Sequence, residues 1–390
     1  MVPPRSGRHL LWLLVCVLAT APGLAVRVGL IHGDPPLEAL LFGVAIVGAA
    51  FLLSWAAEIA QLDVSQGLAL ALLALIAVLP EYLVDASFAW LAASKPEFAH
   101  YAVANMTGAN RLLIGIAWPL VVLTCFLRFR RRRIDLEPQH GLEILVLAIA
   151  SLYAFIMPFK QSISLVDFGM LLALFSFYIY RLARLPSEPP HLVGPALLIG
   201  NLAPKARRLS MAAMALFSGA VVFLVAHPFA ESLVEAGLSL GIDEFLLVQW
   251  VAPLASEAPE FVIVILFAWR GMSTAALGTL ISSKINQWTL LVGMLPLVYS
   301  IALGEPAAFP LDDRQQHEVF LTAAQSVFAI ALLLDLSLGI YGAGVIFTLF
   351  TIQAIFPDTR LVIGYVYLAL ALVVVLESRK RIGAIWGGSP

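Results

Sequence analysis

Two Pro-Glu pairs, Pro80-Glu81 and Pro259-Glu260, lie inside long apolar stretches of the sequence. A proline within a helix removes one backbone hydrogen bond and frees a carbonyl oxygen, and each glutamate adds a carboxylate. A carboxylate at bilayer depth costs on the order of 3 kcal/mol by insertion scales, so it usually marks the path of an ion or a proton. The alternatives are a packing kink for the prolines and a structural pair with a buried base for the glutamates. The repetition of the pair favours ion binding.

Additional acids accompany each pair. Asp85 lies four residues after Glu81, and Glu257 lies three residues before Glu260, so each shares a helical face with its glutamate. Two carboxylates this close repel when both are ionised, which favours a role in proton binding. The alternative for Asp85 is contact with the outer water.

Bases and neutral oxygens occur in the helices that follow the pairs. Arg111 and Lys284 fall where helices should pack against the glutamates, which predicts internal ion pairs with these acids. The alternative for Lys284 is extension to the cytoplasmic surface. Nearby amides and a serine supply neutral oxygens or hydrogen bonds between helices: Asn110, Ser283, Asn286 and Gln287.

Composition predicts that all these residues lie in membrane helices. The 390 residues are 61% hydrophobic and 12% charged, whereas about 25% of a soluble domain is charged. A bilayer-spanning helix needs about 20 apolar residues, and backbone groups in lipid must bond internally. About twelve spans are predicted, at 9–30, 39–57, 67–93, 98–127, 141–157, 162–180, 210–229, 243–269, 274–303, 318–338, 339–356 and 361–377.

Basic residues predict how these spans are oriented. If Arg5 and Arg8 lie in the cytoplasm and the spans alternate, the basic groups at 128–133, 181–208 and 379–381 all become cytoplasmic. The sequence therefore predicts an integral protein of the plasma (inner) membrane with a cytoplasmic C-terminus.

The two Pro-Glu helices belong to an internal repeat. Leu62-Asp63-Val64-Ser65 precedes the first helix, and Leu240-Gly241-Ile242-Asp243 precedes the second at nearly the same spacing. In the predicted topology one helix runs outward and the other inward, an arrangement common in secondary transporters. The predicted fold is an all-α polytopic membrane protein with two inverted five-helix repeats and one extra helix at each end.

This fold divides the chain into five segments. The first is a helix that is either signal-like or a retained signal anchor, and a cytoplasmic linker separates the two repeats. The final segment is an extra helix with a basic tail. In chain order the segments are 1–36, 37–180, 181–209, 210–357 and 358–390.

The motifs resemble those of the cation/calcium exchanger superfamily, in the sodium/calcium exchanger membrane-region family. Each inverted repeat of that family has Thr-Ser-x-Pro-Glu on one helix and Gly-Ser-Asn-x-x-Asn/Asp on the next. The matching stretches here are 77–81 and 256–260, followed by 108–113 and 282–287. The full motif is not preserved, so the chain resembles a divergent member.

The resemblance implies that Glu81 and Glu260 ligate calcium. The hydroxyls that hold sodium in the family fall on four positions here: Ala77, Val78, Ser256 and Glu257. Only Ser256 keeps a hydroxyl. The serine of the second helix falls on Ala109 and Ser283, and its amide or acid ligand falls on Leu113 and Gln287.

The predicted function is secondary active cation antiport by alternating access. Calcium, sodium or protons are the expected ions, the bilayer and small inorganic cations are the expected partners, and neither a cofactor nor a nucleic acid is expected. The predicted ion-binding residues are Glu81, Glu260, Ser256, Glu257, Ser283 and Gln287. One alternative is transport of a different solute, whose anionic group meets Arg111 or Lys284. Another is a membrane protein that has lost transport. An enzyme is not expected.

The predicted topology can be tested with reporter fusions after Arg133, Arg208 and Arg381. All three fusions should report a cytoplasmic location, because basic residues are retained on that side. An external signal from any one of them would contradict the inverted-repeat prediction.

Overall fold

The computed structural model describes residues 6–63, 78–184 and 192–386, and its regular structure is almost entirely helical. The α-helices are α1 (Ser6–Arg27), α2 (Pro35–Ala60), α3 (Leu79–Ala92), α4 (Phe98–Leu112), α5 (Trp118–Phe129), α6 (Gly141–Ala154), α7 (Ile156–Lys160), α8 (Leu165–Leu182), α9 (Pro195–Gly200), α10 (Pro204–Leu240), α11 (Glu244–Trp269), α12 (Ser273–Asn286), α13 (Val292–Leu303), α14 (Asp313–Leu333), α15 (Ile340–Ile355) and α16 (Arg360–Trp386). Two π-helices, Leu113–Ala117 and Gln287–Leu291, connect α4 to α5 and α12 to α13.

The predicted membrane spans correspond to these helices. Within the described residues, ten helices are long and apolar enough to cross a bilayer, and α15 is a shorter apolar helix. The remaining predicted span, 67–93, is represented by α3, while its first part falls in 64–77, outside the described residues. The all-α polytopic membrane fold is therefore confirmed.

One compact unit comprises Met1–Tyr101 and Ile179–Pro259 and so draws on both predicted halves. Within it, α2 packs against α1 and along α10, and α3 packs against α10. Helices α1 and α2 approach closely at Gly48, where an added Cβ would lie 2.6 Å from the carbonyl oxygen of Cys16. The absence of a side chain at Gly48 therefore permits this packing.

The described part of the predicted linker is hydrogen-bonded to the C-terminal end of α2. The backbone N–H of Val193 donates to the Glu58 carboxylate at 2.8 Å. Arg207 donates to both carboxylate oxygens of Asp63, at 2.7 and 2.6 Å, and Arg208 donates to the same group at 3.0 Å. The short helix α9 packs against α2 between these bonds. Residues 185–191 of the linker lie outside the described residues.

The second compact unit comprises Ala102–Tyr178 and Glu260–Pro390. In it, α14 packs against α6 and α16, and α12 packs against α5 and α6. Two short antiparallel ribbons join distant loops of the unit. Strand β1 (Arg133–Asp135) pairs with β4 (Ser337–Gly339), and β2 (Ser162–Ile163) pairs with β3 (Phe309–Pro310).

Helix α14 begins at Asp313, earlier than the predicted start at residue 318. Asp312 accepts a bond from the backbone N–H of Gln315 at 2.8 Å, and the Gln315 side chain accepts one from the Asp312 N–H at 3.1 Å. This capping box allows a polar first turn that hydropathy alone assigns to a loop.

Replacing Asp63 by asparagine should destabilise the protein, because Arg207 and Arg208 would lose their carboxylate partner. The Arg207 guanidinium, together with Arg208, lowers the pKa of Asp63 from 3.8 to about 2. The carboxylate thus contributes fully above about pH 4, and its contribution is lost as the pH falls through about 2. After allowance for solvent screening, Asp63→Asn should cost about 1–2 kcal/mol at neutral pH.

Thermal unfolding of the detergent-solubilised protein at neutral pH measures this loss. Glu305→Gln, at an exposed loop position, is the control and should unfold at the wild-type temperature. An unchanged unfolding temperature for Asp63→Asn would show that the arginines are stabilised by other contacts.

Candidate ion-binding site

The two Pro-Glu pairs occupy different positions in their helices. Pro80 and Glu81 lie in the first turn of α3, where a proline costs no helical hydrogen bond. Pro259 lies inside the continuous helix α11, which also contains Pro253. Pro259 therefore removes a backbone bond in mid-helix. Pro80 is the second residue of α3, and residues 64–77, including Ala77, lie outside the described residues.

The first compact unit contains four of the predicted polar residues. Glu81, Asp85, Ser256 and Glu257 are all buried, and Asp85 is fully buried rather than in contact with outer water. The Ser256 hydroxyl donates to the carbonyl oxygens of Ala252 and of Pro253, both at 3.3 Å. These bonds leave the lone pairs of the Ser256 oxygen for other donors or for a cation.

Glu260 belongs to the second compact unit and is half-buried. The Ser283 side chain of α12 lies next to its carboxylate. The Oε2 atom of Glu260 is shielded from solvent and has no hydrogen-bond partner among the described residues. A buried carboxylate oxygen without a donor is costly, and a bound cation or proton would offset this cost.

The two π-helices occupy corresponding positions, because each interrupts the polar helix that follows a Pro-Glu pair. They begin at Leu113 and Gln287, the two positions at which the family resemblance places an amide or acid ligand. Single π turns within α-helices are rare and are frequent at functional sites. Gln287 is buried and carries an amide, whereas Leu113 is buried and carries no ligand atom.

Lys284 is fully buried and does not extend to a membrane surface. Its Nζ donates to the backbone oxygen and to Oδ1 of Asn110, both at 2.6 Å. The structure therefore brings together Lys284 and Asn110, a base and an amide that were predicted from the sequence to lie near the site. Their bond joins α12 to α4 within the second unit.

Arg111 pairs with an acid outside the predicted group. Its guanidinium lies 2.5 Å from Oε2 of Glu318 and donates to Oε1 of Gln353 at 2.6 Å. Arg360 lies 2.5 Å from Oε1 of the same glutamate. Glu318 thus bridges two arginines in the interior of the second unit. Glu318 is the first residue of the predicted apolar span 318–338, and this position was the sequence signal for a buried acid.

A second hydrogen-bonded cluster was missed by sequence reasoning. Tyr178 donates to Glu143 at 3.1 Å and shares a 2.9 Å bond with the Ser282 hydroxyl. Nδ1 of His140 lies 2.6 Å from the other Glu143 oxygen. The cluster joins α6, α8 and α12. Glu143 within an otherwise apolar span was the available signal.

Solved structures of ion exchangers are similar to this chain. A structure of an H+/Ca2+ exchanger, CAX, has 43% sequence identity and a TM-score of 0.93, covering 97% of this chain and 97% of that chain. A Ca2+/H+ antiporter, YfkE, has 14% identity and a TM-score of 0.64, covering 87% and 98%. The sodium-calcium exchanger NCX_Mj has 16% identity and a TM-score of 0.54, covering 81% and 96%. At the two lower identities the likeness shows the fold alone.

The comparison with protein families gives a match in both predicted halves. The model of the sodium/calcium exchanger protein family matches residues 37–183 and 210–357. No curated protein sequence matches the chain. Because the family model covers most of the residues and the CAX structure matches nearly the whole chain, this chain belongs to the sodium/calcium exchanger protein family.

Proposed function

We propose that this protein is a calcium antiporter that exchanges calcium for protons across the plasma (inner) membrane, with its C-terminus in the cytoplasm. The observation that carries the proposal is Glu260, a carboxylate in a membrane helix with one shielded oxygen that no described residue satisfies. The 43% identity to a structure named as an H+/Ca2+ exchanger supports calcium and protons as the ions.

Glu81 and Glu260 each ligate the transported cation in this proposal. The remaining oxygens come from Ser256, Glu257, Ser283 and Gln287, all on helices that contain or follow the second Pro-Glu pair. Carboxylate and amide oxygens suit calcium, which takes six to eight oxygen ligands, some of them water. In this proposal the Ser283 hydroxyl, which lies next to Glu260, positions the carboxylate by donating to it.

Proton coupling follows from the chemistry of the carboxylates. A glutamate binds calcium only when it is ionised, so calcium and protons compete for the same oxygens. If both glutamates release a proton when calcium binds and accept one when calcium leaves, one calcium ion exchanges for two protons without net charge transfer. Alternating access, as in other transporters with inverted repeats, would expose the site to each side in turn.

Transport of an anionic solute receives less support from the structure. That alternative needs Arg111 or Lys284 to meet the anion. Arg111 is already held by Glu318 and Gln353, and Lys284 is held by Asn110. An anion would have to break buried bonds to reach either base, which favours a cation as the transported ion.

Removing either carboxylate should abolish exchange. Glu81→Gln and Glu260→Gln keep the side-chain size but can no longer exchange calcium for a proton, so each should lower calcium flux at least about 100-fold, on the scale of losing a charged ligand. The measurement is uptake of radioactive calcium into proteoliposomes under an imposed pH gradient. Glu305→Gln, at an exposed loop position, should keep wild-type flux. Wild-type uptake by both site variants would mean that the glutamates are structural.

The position of Ser283 beside Glu260 predicts a smaller effect. Ser283→Ala removes a hydroxyl that can donate to the carboxylate, and a hydrogen bond to a charged group is worth about 1.5–3 kcal/mol. We expect a roughly 10- to 100-fold higher KM for calcium, with the protein still folded. Ser282→Ala, one residue earlier in the same helix, is the matched control, because Ser282 bonds to Tyr178 instead of Glu260. Equal effects of the two substitutions would contradict a positioning role specific to Ser283.

A further inference from the structure

Lys284 is a fully buried lysine in α12 that the proposed exchange does not use. Two of its hydrogen bonds go to one residue, since Nζ donates at 2.6 Å to both the backbone oxygen and the side-chain oxygen of Asn110. A buried ammonium is stable only where fixed acceptors replace its water shell.

The Asn110 amide is fixed in the orientation that receives this cation. Its Nδ2 donates to the backbone oxygen of Met106 at 2.9 Å, so Oδ1 points toward Lys284. A backbone carbonyl and an amide oxygen that converge on one point are the oxygen types that ligate small metal cations. The ammonium group therefore occupies a position built from the ligands of a cation.

An aromatic ring forms another side of this position. The Lys284 Nζ lies 5.4 Å from the centre of the Trp288 ring, within the range of a cation–π interaction. Trp288 is itself fully buried, and its Nε1 donates to the Ser326 hydroxyl at 2.9 Å, which fixes the ring. Two oxygens of Asn110 and the face of Trp288 thus form part of the surroundings of the ammonium group.

The position of Lys284 in the sequence connects this cation to the candidate ligands. Ser283, which precedes it, lies next to the Glu260 carboxylate. Gln287, three residues later, lies on the same side of the helix and begins the second π-helix. One turn of α12 therefore carries the ammonium group and two proposed ligands.

We propose that the Lys284 ammonium is a built-in cation that fills an oxygen site on α4, and that the exchanger consequently neither binds nor requires sodium or potassium. This inference rests on the proposed calcium exchange and adds a residue that determines ion specificity. A tethered cation does not leave during the cycle, so an alkali ion from solution cannot compete for the Asn110 oxygens. The family includes proteins named as sodium/calcium exchangers, so sodium is the alkali ion to test.

The alternative role of Lys284 is a structural brace between α12 and α4. Lys284→Ala distinguishes the two roles, because it removes the charge and leaves space beside the Asn110 oxygens. If the lysine is a built-in cation, sodium should enter that space. If it is only a brace, the variant should be less stable than wild type and should gain no sodium binding.

The first experiment measures binding of radioactive sodium to the purified full-length protein in detergent. Wild type and Lys205→Ala, a control at an exposed lysine, should show no saturable binding. Lys284→Ala should bind sodium saturably, at least about fivefold above the non-saturable background of wild type and in the millimolar range of weak oxygen sites. The double variant Lys284→Ala/Asn110→Leu should lose this gain, because the amide oxygen is absent.

The second experiment measures calcium uptake driven by a pH gradient, with sodium and potassium replaced by N-methylglucamine. Without sodium and potassium, the wild-type calcium flux should stay within about twofold of its value with them. Adding sodium should raise the calcium flux of Lys284→Ala.

Saturable sodium binding by wild type overturns the proposal, as does a folded Lys284→Ala protein that gains none. If that variant does not fold, wild-type sodium binding decides the question by itself. A wild type without calcium flux would contradict the proposed function instead, because the binding experiment does not depend on transport.

Discussion

A charge inside an apolar helix bundle is stable only where fixed oxygens or an opposite charge meet it, and this requirement organises the second compact unit. Arg111 is held by Glu318 and Gln353, and Arg360 binds the same glutamate. Lys284 is held by two oxygens of Asn110. These contacts join α4 to α12, α14, α15 and α16, so the buried charges determine which helices must lie together.

Glu260 differs from these groups, because Oε2 of its carboxylate is shielded from solvent and unsatisfied by the described residues. A fully satisfied ion pair gives a fixed structure, whereas an incompletely satisfied carboxylate can exchange one ligand for another. The contrast separates charges that hold the helices together from a charge available for transport. It also explains how one unit can contain several ionised groups without all of them belonging to the site.

The spans could be predicted because their signal is local, a run of about 20 apolar residues. The family could be predicted because Pro80-Glu81 and Pro259-Glu260 stand at matching places. The partner of Arg111 could not be predicted, because Glu318 is distant in sequence and no local pattern selects it over the acids of the site. The early start of α14 depends on the Asp312 capping box, which hydropathy does not register.

The candidate site was predictable in its residue types but not in its geometry. Sequence alone placed Ser283 and Glu260 in one group, while their proximity required the folded helices. The π-helices at Leu113 and Gln287 had no recognised sequence signal. The close approach of Gly115 to α15 was not visible in the sequence either: a Cβ at that position would overlap the ring of Phe350.

The close approach of α1 to α2 has a consequence for how this sequence can diverge. At Gly48 a methyl group would meet the Cys16 carbonyl at 2.6 Å and the Cβ of Ala19 at 3.0 Å. Because the first obstacle is backbone, a smaller side chain on α1 cannot make room. Gly48 can therefore change only if α1 moves as a whole. In related sequences, residues along both helices should covary with position 48, as residues in contact do.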